Sequence, residues 1–141
     1  MKAILAHQFG GPEVLKLEDV EKPSAGPGQV LVQVKAAGIN PVDSYILTGT
    51  YARKPQLPYT PGMDGAGIVS AVGPNVKNFK IGDRVYVEDA ATGTFAEFCL
   101  VNQDHAHLLP ASLSFSQGAA LGVPYATAHF ALLTRAKVQK G

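Results

Sequence analysis

Frequent chain breakers limit what this sequence can build. Fifteen glycines and ten prolines are scattered through 141 residues, and the apolar stretches between them are short, β-branched and often alternating. That texture predicts many short strands joined by turns rather than long helices. Ala3–Ala6 reads as a strand, Gly10-Gly11-Pro12 as a turn and Val14–Val20 as a returning strand, so the chain opens with a hairpin. Val30, Val32 and Val34 alternate with polar neighbours in Gln29–Ala36, the period of a half-buried strand. Further strands are expected at Ile68–Val72, Arg84–Val87 and Thr94–Val101, separated by the turns Gly73-Pro74-Asn75 and Lys80-Ile81-Gly82-Asp83.

Helices are confined to places with start signals. Asn40 is a good N-cap, Pro41 suits the first helical position, Asp43 lies in the first turn and Gly49 can close the end. Pro55, Pro58 and Pro61 make the following stretch a loop. From Ser114 the pattern changes: Ser114 and Gln117 form a capping box for one short helix, and Pro124 starts a second that runs through His129 to about Arg135. Strands first and helices last predict a mainly β fold, a barrel with helical appendages.

Charge and cysteine content exclude several function classes. Twelve Lys and Arg against eleven Asp and Glu leave a formal charge of +1, with no basic run to grip a phosphate backbone, so nucleic acid is not an expected partner. The lone Cys99 rules out an internal disulfide and any zinc site built from several thiolates, and suits a reducing compartment, the cytoplasm. No apolar run reaches the roughly 20 residues of a membrane span, and the first residues lack the apolar core of a signal peptide. No membrane association is expected.

Three motifs occur in order: Pro61-Gly62-Met63-Asp64-Gly65-Ala66-Gly67, Gly82-Asp83-Arg84-Val85 and Gly93-Thr94-Phe95-Ala96-Glu97-Phe98. Together they resemble the GroES-like catalytic domain of the medium-chain dehydrogenase/reductase family. Phe9–Leu15, Gly38–Asp43, Gly49-Thr50-Tyr51 and Gly122–Ala128 narrow the resemblance to its zinc-free, zeta-crystallin-like quinone oxidoreductases. The resemblance covers nearly the whole chain. It implies a partly open β-barrel over residues 1–113 and a helical connector over 114–141, leading towards a Rossmann domain that this chain lacks. Independently, no Gly-x-Gly-x-x-Gly lies between a strand and a helix, so a pyrophosphate cradle is absent and any NADPH site is incomplete here. The resemblance further implies a homo-oligomer in full-length form, an apolar sheet edge left for distant strands, and transfer of a hydride or of single electrons to quinones or other small electrophilic acceptors.

Residue types bear on the metal. A catalytic zinc needs about three protein ligands from Cys, His, Asp or Glu. Where zinc alcohol dehydrogenases carry a Cys and a Gly-His-Glu, this chain resembles them with Asn40 and Gly62-Met63-Asp64, and neither Asn nor Met is a suitable zinc ligand. No zinc is expected. A quinone or enone delocalises the incoming charge itself, so a protein has mainly to position it and supply hydrogen-bond donors. The resemblance places Tyr45 against coenzyme, Thr127 on the nicotinamide side, and Asn40 and Tyr51 facing the acceptor. Each has a simpler reading: Asn40 as a helix cap, Tyr45 as an amphipathic core residue, Tyr51 as a loop aromatic capping the barrel, Thr127 as a helix residue bonding its own backbone.

Other groups look structural. Asp104-His105-Ala106-His107 offers two histidines on one face if extended, but no third ligand, and reads as a solvated loop. Cys99, between Phe98 and Leu100, reads as an inert buried thiol. Arg53 and Lys54 read as solvated loop charges. Glu88, Asp89 and Glu97 have no separation fixed by the sequence. Alternatives to a quinone oxidoreductase remain: an enone or alkenal reductase of the same family, or a non-enzymatic GroES-like binding or structural module should the chain be naturally this short.

Overall fold

A computed structural model describes residues 1–140 of the chain. The opening hairpin is present: β1 (Lys2–Ala6) pairs antiparallel with β2 (Leu15–Asp19), placing Ile4 opposite Leu17, and Pro12–Val14 forms a turn of 3-10 helix between them. The remaining strands are β3 (Gln29–Ala37), β4 (Gly65–Val72), β5 (Arg84–Val87), β6 (Phe98–Asn102) and β7 (Ala106–Leu108). They form one antiparallel sheet in the order β6-β3-β4-β5-β7. Two register irregularities along the β3–β4 pair, at Leu31/Val32 and Val34/Ala36, bend the central strands, as a bulge does by increasing local twist. The sheet curls into a half-barrel whose edges, β6 and β7, stay apart. The β1–β2 ribbon is tied on by the bridges Ala3 to Ala96 and Ala6 to Tyr59.

The valine alternation is what fills the curl. Val30, Val32, Val69, Val85, Val87 and Val101 are all buried, with Cys99 and Ala106 among them. Each such side chain contributes about 1.5–3 kcal/mol of apolar burial, and β-branched rotamers suit a pleated surface. A smaller cluster of Ala66, Leu109 and Ala119 forms where helix α2 (Phe115–Ala119) packs against the sheet, with Phe115 and Leu121 partly buried beside it. Ser114 and Gln117 close the expected capping box. Helix α1 (Pro41–Leu47) begins at Asn40 and is followed by Gly49 at φ 71°, as its start and stop signals predict.

Three expectations need correction. The strand foreseen at Thr94–Val101 is regular only from Phe98, because the main chain before it bonds elsewhere: Thr94 N–H to Gly62, Phe95 N–H to Pro61, and the Phe95 carbonyl to Ile4. The last helix, α3 (Gly122–His129), starts two residues before Pro124, whose missing N–H has no intrahelical partner to lose so near a helix start. It then widens into a π-helix at Phe130–Arg135. The segment read as a solvated loop contains β7, held by pairing of Tyr86 with His107 and Val87 with Ala106; three residues carry too short a pattern to signal a strand. No helix among the described residues is long and apolar enough to cross a membrane.

At Gly67 the β3 and β4 main chains approach so closely that a Cβ would overlap the Gln33 carbonyl. Backbone cannot rotate out of the way as a side chain can. Gly67→Ala should therefore cost about 2–3 kcal/mol, at the upper end of overpacking effects; urea unfolding measures this, and a loss below about 1 kcal/mol would mean the strands separate freely.

Candidate functional site

The end of β3 and the start of β4 converge on a buried carboxyl. Asp64 is 1% exposed. Its Oδ2 accepts a hydrogen bond from Asn40 Nδ2 at 3.0 Å, and both its oxygens accept from the Val123 N–H, at 3.1 and 2.9 Å. Its main-chain carbonyl accepts from Gly38 N–H and from the Thr94 hydroxyl. Asn40, 7% exposed, is also tied to its own helix, donating its N–H to Asp43 Oδ2 at 2.8 Å. It is the residue from which α1 starts, and its side chain braces Asp64. Gly122 lies so close to Asp64 that a Cβ there would overlap Oδ1, so any larger residue at the start of α3 would have to push the carboxyl aside.

Burial dominates the electrostatics. Desolvation pushes the carboxyls of both Asp43 and Asp64 above their ordinary value of 3.8. For Asp64 the hydrogen bonds from Asn40 and Val123 oppose the shift, while the charges of Asp43 and Glu88 add to it. The phenol of Tyr59 is also raised, by burial and then by Asp43.

Beside this network a cleft of about 850 Å³ opens between α1, the proline loop and the segment before β6. Its walls include Tyr51, Tyr59, Met63, Asp43 and the ion-paired Arg53 and Asp89, 3.5 Å apart. Tyr51 is set by the end of α1: the Tyr45 carbonyl accepts from the N–H groups of both Thr50 and Tyr51, at 3.0 and 3.1 Å. The Tyr59 hydroxyl is buried and has no partner among the described residues.

Of the four residues singled out from the sequence, the structure puts Tyr51 in the cleft and Asn40 in the buried network behind it. Tyr45 and Thr127 are brought to neither. Tyr45 is 54% exposed, which excludes the core role, and Thr127 is exposed on α3. Sequence reading noticed Asp64 only for what it replaced, and passed over Tyr59. The signal for Asp64 was present in Gly38 and Gly122, but nothing local says that two glycines so far apart meet one residue, Gly38 at its main chain and Gly122 at its carboxyl.

The donor set does not suit a catalytic zinc. Asn40 uses its amide nitrogen on Asp64, Met63 offers a thioether, and the Asp64 oxygens are taken by N–H groups. Among the described residues no three His, Cys, Asp or Glu side chains gather to hold a metal ion. His105 ends a 3-10 turn while His107 stacks on Tyr86 in β7, so the two do not share an extended face. Cys99 is fully buried, and desolvation pushes its thiol up to about 12, the state of an inert sulfhydryl.

Residues 26–111 match the alcohol dehydrogenase GroES-like domain. The chain belongs to this family. It is 52% identical over its whole length to a quinone oxidoreductase of Lama guanicoe, of which it covers 43%. Among solved structures it superposes on the quinone oxidoreductase of Pseudomonas syringae pv. tomato DC3000 with a TM-score of 0.91 and 39% identity, covering 99% of this chain and 43% of that one. The Escherichia coli quinone oxidoreductase complexed with NADPH gives a TM-score of 0.89 and 38% identity over 96% of this chain and 41% of that one. The chain thus spans less than half the length of these relatives. The mainly β, GroES-like architecture expected from the motifs is the one observed, and the described residues contain no Rossmann domain.

A carboxyl whose folded pKa lies above its unfolded value favours folding most below the unfolded value, and that contribution is lost as pH rises through the folded pKa. Asp64 is such a group. The unfolding free energy of the chain should fall relative to that of Asp64→Asn as pH rises above 3.8. Denaturant titrations across pH measure the difference; a gap independent of pH, or one changing in the opposite sense, would contradict the burial-driven shift.

Proposed function

We propose that these residues form the acceptor-side domain of an NADPH-dependent quinone oxidoreductase, acting together with a nucleotide-binding domain. The observation that carries the reading is the identity of about half of all positions to quinone oxidoreductases across the entire chain. Residues 1–113 would form the catalytic half-barrel. Residues 114–141 would lead towards the second domain, and the exposed Tyr125, Phe130, Leu132 and Leu133 supply apolar surface for that contact.

When bound, NADPH supplies the reducing equivalents, as a hydride or as single electrons. This chain's part is to orient the acceptor and to exclude water. A quinone spreads the arriving charge through its ring onto oxygen, so no Lewis acid is required; the poor ligand set at Asn40, Met63 and Asp64 supports a zinc-free reaction. Tyr51 and Asn40 are proposed on the acceptor side as hydrogen-bond donors. Tyr45 and Thr127, both exposed, are proposed to touch coenzyme where the second domain closes over them. A homo-oligomer in the cytoplasm completes the proposal, in keeping with the reduced, buried Cys99.

The test uses the chain joined to its nucleotide-binding domain, with NADPH oxidation followed against an ortho-quinone and, in parallel, an enone. Quinone turnover at least about tenfold above enone turnover, in kcat/KM, is expected; the reverse order would move the assignment to an enone reductase. Tyr45→Phe and Thr127→Val should raise the KM for NADPH or lower kcat by about threefold to tenfold, the loss of one hydrogen bond. Unchanged kinetics would remove both residues from the site.

A further inference from the structure

Asp64 joins two parts of the chain that the proposed reaction must keep in register. On one side it holds the amide of Asn40, a residue assigned to the acceptor. On the other it receives the Val123 N–H in the first turn of α3, one helical turn before Thr127, a residue assigned to the nicotinamide side. Neither attachment is loose. The carboxyl is buried, its main chain is held by Gly38 and Thr94, and Gly122 seats α3 directly against it. A buried acceptor left without donors costs about 1–3 kcal/mol, so the three contacts persist together or are lost together.

We propose that Asp64 is a positioning residue, which sets the distance between acceptor and hydride donor by clamping Asn40 and the start of α3 to one carboxyl. The role rests on the quinone oxidoreductase reading and deepens it. Asp64 touches neither reactant; it acts through the Asn40 amide, whose nitrogen it orients, and through the main chain of α3. Asparagine at this position puts an NH2 group where one carboxylate oxygen accepts, so either the Val123 N–H must shift away from it or the Asn40 amide must turn over to meet it with its oxygen. Displacement of a reacting group by about 1 Å is enough to lower a rate by roughly 100-fold.

The experiment is a double-mutant cycle in the complete enzyme, with Asp64→Asn, Asn40→Ala and the pair, assayed with NADPH and an ortho-quinone. In the Asn40 wild-type background, Asp64→Asn should lower kcat by about 10- to 100-fold with both KM values within about threefold. In the Asn40→Ala background the same change should lower kcat by a clearly smaller factor, because one of the two arms it acts through is already gone and only the Val123 attachment is left to disturb. Equal losses in the two backgrounds would show that nothing passes through Asn40, and a lowered Tm with kcat per folded molecule unchanged would leave Asp64 a purely structural role; either result overturns the two-sided clamp. Should Asp64→Asn fail to fold, Gly122→Ala takes its place, since it pushes on Oδ1 while leaving the carboxyl present: the same kcat signature supports the clamp, and unchanged kcat sinks it. The two levels of the argument fail separately. An inactive wild type refutes the proposed reaction, whereas an active wild type with unaffected variants refutes only the role of Asp64.

Discussion

A carboxyl that cannot reach water must be given donors, and in this chain that requirement organises the ends of several elements at once. Asp64 collects the Asn40 amide and the Val123 N–H on its side chain, and the Gly38 N–H and Thr94 hydroxyl on its carbonyl. These come from the end of β3, the start of α3 and the approach to β6. None is its neighbour in sequence. The cost of leaving a buried oxygen unpaired exceeds what any one of these loops gains from local preference, so the loops settle where the oxygen needs them. The valine core makes the half-barrel stable; the Asp64 cluster makes its open end specific.

The same crowding shapes the chemistry. Burial raises the cost of ionising Asp43 and Asp64, and at Asp64 the charges of Asp43 and Glu88 add to it. A site of this kind suits hydrogen-bonding to an uncharged acceptor better than stabilising an anion by opposite charge. The cleft alongside is walled by Tyr51, Tyr59 and Met63, with the ion pair of Arg53 and Asp89 on its wall. Aromatic and thioether surface with a few hydroxyls is what a flat, conjugated, electrophilic ring would meet favourably. The cleft lies between α1 and the proline loop, and the main chain of Tyr51 is tied to the end of α1 through the Tyr45 carbonyl.

Much was legible without coordinates, and the particular cases show why. The β3 alternation of Val30, Val32 and Val34, the cap and stop signals around α1, and the Ser114–Gln117 box are all written within about one turn or one strand of sequence. The hairpin of β1 and β2 follows from the turn between them. Failures occurred where a distant partner decided the outcome. Thr94–Glu97 has strand propensity but bonds to the 61–62 loop and to β1, and Ala106–Leu108 becomes a strand only because β5 is there to pair with it.

The sequence by itself determined the mainly β class, the zinc-poor ligand set, the family and the residue types available around the cleft, because these depend on composition, short periodicity and motif order. Tertiary structure alone decided that Asp64 is the hub, that Tyr45 and Thr127 stand exposed while Asn40 is buried, and that Tyr51 and Tyr59 share one cleft. The Asp64 contacts span 24 residues to Asn40 and 59 to Val123. Contacts over such separations are selected by the total burial and hydrogen-bonding of the folded chain, which no local stretch of sequence encodes.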